Sequence, residues 1–313
     1  MALIKKTFPL PKLSFTEWRL YQKEECITIS IPGEKHFLKL DPESDTRYAS
    51  LFKNSWLPLS LAATEPVFLD RNILIDLEHN RDGYKDLLKH LQHSEKIRLD
   101  LALLEGDRRE NKTTSYPSIL EMRKDYDFWF DVFQRHGLST KLYRFDISSL
   151  NAYQSVLQEN ASNHAFIKNC GIPSFLDVGE ERLSAMETII QCAKEENISC
   201  RELIVLLVLS SIFIRTQEHG KRDKHASVGT LKLKNGRISD PYNLIADLNA
   251  AVLYKILNTH AGYRFLTSDE ALINLCLNMD WNEKMSINLQ YFFPNITPRE
   301  KALLKSNGIA FNK

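Results

Sequence analysis

No two cysteines in this chain are spaced as Cys-x-x-Cys, and no stretch is apolar for long enough to cross a bilayer. Each absence closes off a class of protein. Cys26, Cys170, Cys192, Cys200 and Cys276 are odd in number and scattered. That pattern argues against a disulfide framework and a thiolate zinc site, and it suits a reducing cytoplasm. The most hydrophobic run, Leu203 to Ile214, falls short of the roughly 20 residues of a membrane-spanning helix and reads as a buried core helix. No membrane partner is expected. The first residues, with prolines at positions 9 and 11 and no continuous apolar core, carry no pattern of a secretory signal. Charge of one sign is missing too: 41 Lys and Arg face 40 Asp and Glu, a formal net charge of +1. A protein that coats nucleic acid along its whole surface is thereby disfavoured, although a local basic patch can still hold phosphates. Neither an internal repeat nor a low-complexity segment is present.

What remains is a chain of 313 residues, 43% hydrophobic and 26% charged, the composition of a soluble globular protein with one large domain or two moderate ones. Hydrophobic period and turn residues divide it into four stretches. Residues 1–64 hold a hairpin, with Cys26 to Ile31 and Lys35 to Leu40 alternating on either side of Pro32-Gly33-Glu34. Residues 65–147 read as an α/β unit: a strand over 67–70 and helices over 72–79 and 83–93. A third helix contains Glu105, a fourth runs from Ser118 to His136 and stops at Gly137, and a second strand is predicted over Thr140 to Asp146. Residues 148–218 are helical almost throughout, broken at Cys170-Gly171-Ile172-Pro173, and are expected to form a lid or docking surface, a candidate place for a regulatory protein. In residues 219–313 a basic segment leads into an Asn235-Gly236 hairpin. After it come a helix around Asp247, a strand over Tyr263 to Leu266, a short helix from Glu270 and a final strand over Ile287 to Phe292. The expected fold class is α/β, a mainly parallel sheet sandwiched by helices.

Four acids stand in apolar surroundings. Asp70 ends the run Val67-Phe68-Leu69, Glu105 closes Leu101-Ala102-Leu103-Leu104, Asp247 sits inside Leu244 to Leu253, and Asp269 follows Phe265-Leu266-Thr267-Ser268. Taken singly, an Asp after a strand is most often a helix cap or a loop residue facing water. Four in this predicament are another matter, because a carboxylate removed from water costs several kcal/mol unless it is paired or gathered round a cation. Carboxylates meeting at the carboxyl edge of a parallel sheet, where open α/β sheets bind ligands, form a hard oxygen site suited to Mg²⁺ or Mn²⁺. Such ions, held with substrate phosphates, promote phosphodiester hydrolysis. Asn72 is placed to cap the helix from Ile73 and to orient Asp70. Lys221, Arg222, Lys232 and Lys234 precede the last two acids and are candidate phosphate contacts, although an ordinary solvated hairpin accounts for them equally well. Asp240, before Pro241, is expected to start a helix. His90 and His93 are taken as surface residues, and Tyr126, Trp129 and Phe130 as core rather than a base-stacking platform.

Val67-Phe68-Leu69-Asp70-Arg71-Asn72-Ile73-Leu74 resembles the first motif of PIN-domain nucleases, and Phe265-Leu266-Thr267-Ser268-Asp269-Glu270-Ala271-Leu272 is similar to the Thr-x-Asp segment of that family. Asp247 and Glu105 fall about where the family has its other two acids. The resemblance implies a Mg²⁺- or Mn²⁺-dependent endoribonuclease with Asp70, Glu105, Asp247 and Asp269 as catalytic and metal-holding residues. It also implies that Thr267 and Asn72 help to bind the substrate and that RNA is the substrate. Ribonucleases of this kind serve in RNA processing and as bacterial toxins, and the extra elements here would suit a regulated effector such as one of bacterial defence. Arg71 stands where the family usually has a small residue, so its cation is expected to crowd or partly neutralise the site. Two other classes stay open: a non-catalytic interaction protein on a PIN-like scaffold, and a structure-specific DNA nuclease.

Overall fold

The computed structural model describes residues 7–9, 27–30, 37–40, 48–52, 55–59, 66–81, 83–105, 117–146, 148, 161–173, 175–215, 225–234, 237–261, 263–282 and 284–309. Near the N-terminus, β1 (Thr7–Pro9), β2 (Ile27–Ser30) and β3 (Phe37–Leu40) form a small sheet of their own. The β2–β3 pairing, Ser30 opposite Phe37, is the hairpin expected on both sides of the Pro-Gly turn. Next come β4 (Ala49–Phe52) and β5 (Ser55–Pro58), within the residues expected to form the N-terminal lobe. They belong to the central sheet, with Trp56 buried there.

The α/β unit that follows contains β6 (Val67–Leu69), α1 (Arg71–Glu78), α2 (Tyr84–His93), β7 (Ile97–Arg98), α3 (Asp100–Glu105) and α4 (Ile119–Arg135). Val67, Phe68 and Leu69 are all fully buried, as an unbroken apolar run requires of a strand covered on both faces. Ser118 and Glu121 close a reciprocal capping box at the start of α4. At its end Gly137 takes the left-handed φ of 71° that a helix stop favours. The strand predicted over Thr140 to Asp146 does not form. Ser139–Lys141 is a 3₁₀ turn, and only Leu142 bridges to Ile97, because β7 is two residues long and offers no further ladder.

The insertion supplies α5 (Ala161–Asn169), α6 (Glu180–Glu195) and α7 (Leu203–Ser211), with the break at residues 170–173 as expected. Every residue of α7 is buried, and no helix among the described residues is long and apolar enough to cross a membrane. After it lie α8 (Ala226–Leu231), β8 (Leu233–Lys234), β9 (Arg237–Ile238), α9 (Pro241–Ala261), β10 (Arg264–Thr267) and α10 (Glu270–Leu277). The chain closes with β11 (Met279–Asn282), β12 (Lys284–Ile287), α11 (Leu289–Phe292) and α12 (Pro298–Ser306). Thr230 and Leu231 thus belong to a helix rather than to the hairpin, whose strands pair Lys234 with Arg237 across Asn235-Gly236. The strand predicted over Ile287 to Phe292 is likewise corrected. Ile287 ends β12, and the Asn288 side chain accepts from the Tyr291 amide and starts a helix instead.

The central sheet has the order β5-β4-β10-β6-β7. β10 runs parallel to β6, and β6 parallel to β7, while β4 is antiparallel to both of its neighbours. Four of the five strands therefore point the same way, giving the α/β class with a mixed, mostly parallel sheet. Leu69 lies opposite Leu266, which brings the carboxyl ends of β6 and β10 side by side although nearly 200 residues separate them. Helices α1 and α9 pack against β10, α3 against β6 and α10 against β4.

Two helices of the insertion are tied to the C-terminal helices. Arg182 of α6 is 2% exposed and makes a two-pronged ion pair with Glu300 of α12, at 2.7 and 2.8 Å. Its guanidinium also donates to the Asn295 carbonyl and lies 4.1 Å from the Phe213 ring centre. Glu300 meanwhile closes the capping box of its own helix with Thr297. Burial alone would raise the Glu300 carboxyl, but the Arg182 and Thr297 hydrogen bonds outweigh it and hold the group below its ordinary range. Ser210 of α7 donates to the Phe292 carbonyl at 2.6 Å. The insertion is fastened to the C-terminal helices through the core.

Candidate functional site

Asp70 is the residue at which β6 turns into α1. Its backbone is extended, its amide donates to the Leu266 carbonyl at 2.9 Å, and it is the N-cap of α1 without a side-chain capping bond. The carboxylate is spent elsewhere. Thr267 Oγ1 donates to Asp70 Oδ2 at 2.6 Å, and Asn72 Nδ2 reaches the same oxygen at 3.3 Å. Asn72 therefore orients Asp70, as expected, but the capping position belongs to Asp70 itself.

Thr267 ties two of the acids together. Besides its bond to Asp70, its hydroxyl accepts the Asp269 amide at 3.0 Å, and the side chain is wholly buried. Its hydroxyl is thus committed to Asp70 and to the backbone of Asp269. Asp269 has one oxygen committed: Oδ1 accepts from Ala271 and Leu272, at 2.9 and 3.0 Å, and caps α10. Asp247 lies in the second turn of α9, where Asn243 Nδ2, one turn earlier, donates to its Oδ2 at 2.8 Å. Asp240 starts that helix as expected, accepting the Asn243 amide at 3.0 Å. Glu105 is the last residue of α3, a helix packed against α9.

The four acids sense one another. Burial pushes the Asp70 carboxyl up to about 7, and the Glu105 charge adds to this; Thr267 opposes the shift, and Asp269 raises it further. Asp247 is raised well above the ordinary range, first by burial and then by Glu105, with Asp269 and Asp70 adding to it and Lys232 acting against them. Lys232 Nζ stands 3.9 Å from Asp247 Oδ2. Yet the carboxylates do not close into a ligand shell: among the described residues, no three His, Cys, Asp or Glu side chains lie near enough together to hold a metal ion as placed.

Arg71 overturns its expectation. Its guanidinium forms a buried, two-pronged pair with Asp125 of α4, at 2.7 and 3.2 Å. It also donates to the Ala102 carbonyl of α3 at 3.2 Å. Rather than neutralising the site, it fixes the helix that ends in Glu105. Sequence reasoning missed both this brace and Asn243; the latter had a signal, because it precedes Asp247 by one helical turn on the same face.

Of the basic candidates, Lys232 alone is seen beside an acid. Lys234 contributes its backbone to β8, and Lys221 and Arg222 lie outside the described residues. His90 is not a surface residue: it is 7% exposed, and burial, followed by the Arg264 and His93 charges, drives its pKa down to about 4. Trp129 is core as expected, whereas Tyr126 is half-buried and Phe130 is exposed.

All the donors are carboxylate oxygens, the set that hard divalent cations prefer, and Asp70 and Asp247 carry raised carboxyl pKa values in a place where positive charge would be stabilising. In donor chemistry and electrostatics the residues fit Mg²⁺ or Mn²⁺. No protein-family model, curated protein or solved structure matches the chain.

Proposed function

We propose that this protein is a Mg²⁺- or Mn²⁺-dependent nuclease that hydrolyses RNA phosphodiester bonds. One observation carries the reading: Asp70, which is buried, and Asp247, whose side chain is 14% exposed, lie beside the charges of Glu105 and Asp269, and Lys232 stands within ion-pair reach of Asp247. A fold gains nothing in stability from such an arrangement. The resemblance of the segments around Asp70 and Asp269 to PIN-domain nucleases points the same way.

In this reading Asp70, Glu105, Asp247 and Asp269 hold the cation directly or through water. When bound, the cation supplies a Lewis acid for the phosphate and an activated water. Thr267 and Asn72 fix the rotamer of Asp70, and Asn243 fixes that of Asp247. The Arg71–Asp125 pair keeps α3, and Glu105 with it, in register with β6.

The test is cleavage of single-stranded RNA, single-stranded DNA and duplex DNA by the purified chain, with Mn²⁺ and with chelator, beside Asp70→Asn and Asp247→Asn. RNA cut by the parent in Mn²⁺ alone, and by neither variant, is the expected result. Preferential cutting of DNA would make this a DNA nuclease. A parent that cuts nothing would leave a non-catalytic interaction protein.

A further inference from the structure

Lys232 is held in place at a cost. It is the C-cap of α8 and takes the left-handed conformation, with φ 47° and ψ 51°. Among the described residues, four non-glycine positions have positive φ, and the other three, Asn80, Asn197 and Asn295, are asparagine, whose short polar side chain tolerates that region. Lysine has no such tolerance. Its backbone is pinned from two sides: the Lys232 amide donates to the Val228 carbonyl at 3.1 Å, and the Ser239 hydroxyl donates to the Lys232 carbonyl at 3.1 Å. Between them the β8–β9 hairpin folds back, Leu233 pairing with Ile238. This strained residue sends its ammonium to Asp247 Oδ2, the oxygen that Asn243 already engages. An asparagine or glycine would satisfy the turn more cheaply, so the turn itself gives no reason for a lysine here; the acid cluster does.

We infer that Lys232 is the resident counter-charge of Asp247 and competes with a divalent cation for that carboxylate, setting the concentration of metal at which the site fills. The inference rests on the reading of the four acids as a metal site. The ammonium reaches Asp247 at 3.9 Å rather than in a tight contact, and about half of its side chain, 49%, is exposed. It can therefore leave toward solvent without disturbing the core. A cation arriving at Asp247 displaces it by like-charge repulsion, and the two bind in mutual opposition.

Calorimetric titration of the metal-free chain with Mn²⁺ tests this, beside Lys232→Asn, Lys232→Arg and Asp70→Asn. Asparagine suits the left-handed turn and removes the charge; arginine keeps the charge. Lys232→Asn should bind Mn²⁺ about ten-fold more tightly than the parent, within the usual span of coupling between two sites, and Lys232→Arg should stay close to the parent. Equal or weaker binding by Lys232→Asn, with the parent binding and Asp70→Asn failing to bind, would overturn the competition while leaving the metal site standing. A parent that takes up no Mn²⁺ would overturn both.

Discussion

Glu300 and Asp70 are both buried carboxylates, and their surroundings are opposite. Glu300 meets a guanidinium, an amide and a hydroxyl, and every partner favours its charged form. Asp70 meets a hydroxyl and an amide group of neutral side chains, with the charges of Glu105 and Asp269 close by, and its charged form is disfavoured. The first arrangement locks the insertion to the C-terminal helices. In the proposed reading, the second leaves free energy that a cation can recover. The same residue class thus does structural work where its charge is balanced and is available for chemistry where it is not.

The largest effect should come from breaking the balanced pair. Arg182→Ala strands Glu300 at 2% side-chain exposure, and loss of one partner of a buried pair costs about 3–5 kcal/mol. Urea unfolding should show this loss. Arg182→Met combined with Glu300→Leu should recover much of it, because neither charge then remains to be solvated. If the single variant unfolds like the parent, the two acids do not differ in the way described.

The unbalanced acid should respond in the other direction. Asp70→Asn removes a like charge at the cost of a charge-assisted bond from Thr267, so the metal-free variant should be as stable as the parent, or more stable by on the order of 1 kcal/mol. Millimolar Mn²⁺ should raise the melting temperature of the parent and shift the variant much less, since the folded state has lost a ligand. Cleavage should disappear. A metal-free variant clearly less stable than the parent would make Asp70 a structural acid like Glu300.

The pH dependence sharpens the same contrast. Asp70 titrates near 7 in the folded chain against 3.8 unfolded, so between these values the folded state binds more protons and stability falls as pH rises. His90 has the opposite sign. Its pKa drops from 6.5 to about 4 on folding, and its contribution grows as pH rises through that window. The two oppose each other in the parent. The difference between parent and Asp70→Asn reads the carboxyl and its effect on Asp247: the variant's advantage should open between pH 4 and pH 7, with a slope well below the one-proton limit of about 1.4 kcal/mol per pH unit, and level off above. Chelator-treated protein melted across that range will show whether the gap opens.

The parts that were legible in the sequence are those where local signals agree. Val67-Phe68-Leu69 reads as a buried strand from its apolar run alone, and Ser118 with Glu121, Gly137 and the Asp240-Pro241 step mark helix ends by short-range hydrogen bonding. All four acids could be picked out because each interrupts an apolar segment. The failures share a cause as well. β7 is too short to show alternation, and without it the run from Thr140 had no ladder to join. Asn288 looked like one step in an alternating strand, but its side chain caps a helix. Arg71 looked like a cation intruding on the site because its true partner, Asp125, is 54 residues away. Distances of that kind are fixed by packing between elements, which no local pattern encodes.

The smallest effect on the fold, and the last test of the contrast, concerns the basic residues. Neutralising Lys221, Arg222 and Lys234 together, with Lys232 kept, removes charge from the segment leading into the acid cluster. The solvated basic segment expected from the sequence should tolerate these changes at a cost of roughly 0.5 kcal/mol or less. RNA affinity should behave differently. Each lysine or arginine that contacts a phosphate releases a counterion on binding, so the logarithm of affinity falls with the logarithm of salt concentration, with a slope near −0.7 per contact for single strands. The triple variant should therefore bind RNA more weakly at low salt, with a slope flatter by about 2 if all three contacts are made. Cleavage at saturating RNA should be preserved, because the acids are untouched. An unchanged slope would make these three residues an ordinary solvated surface and leave Lys232 as the basic side chain that the acid cluster uses.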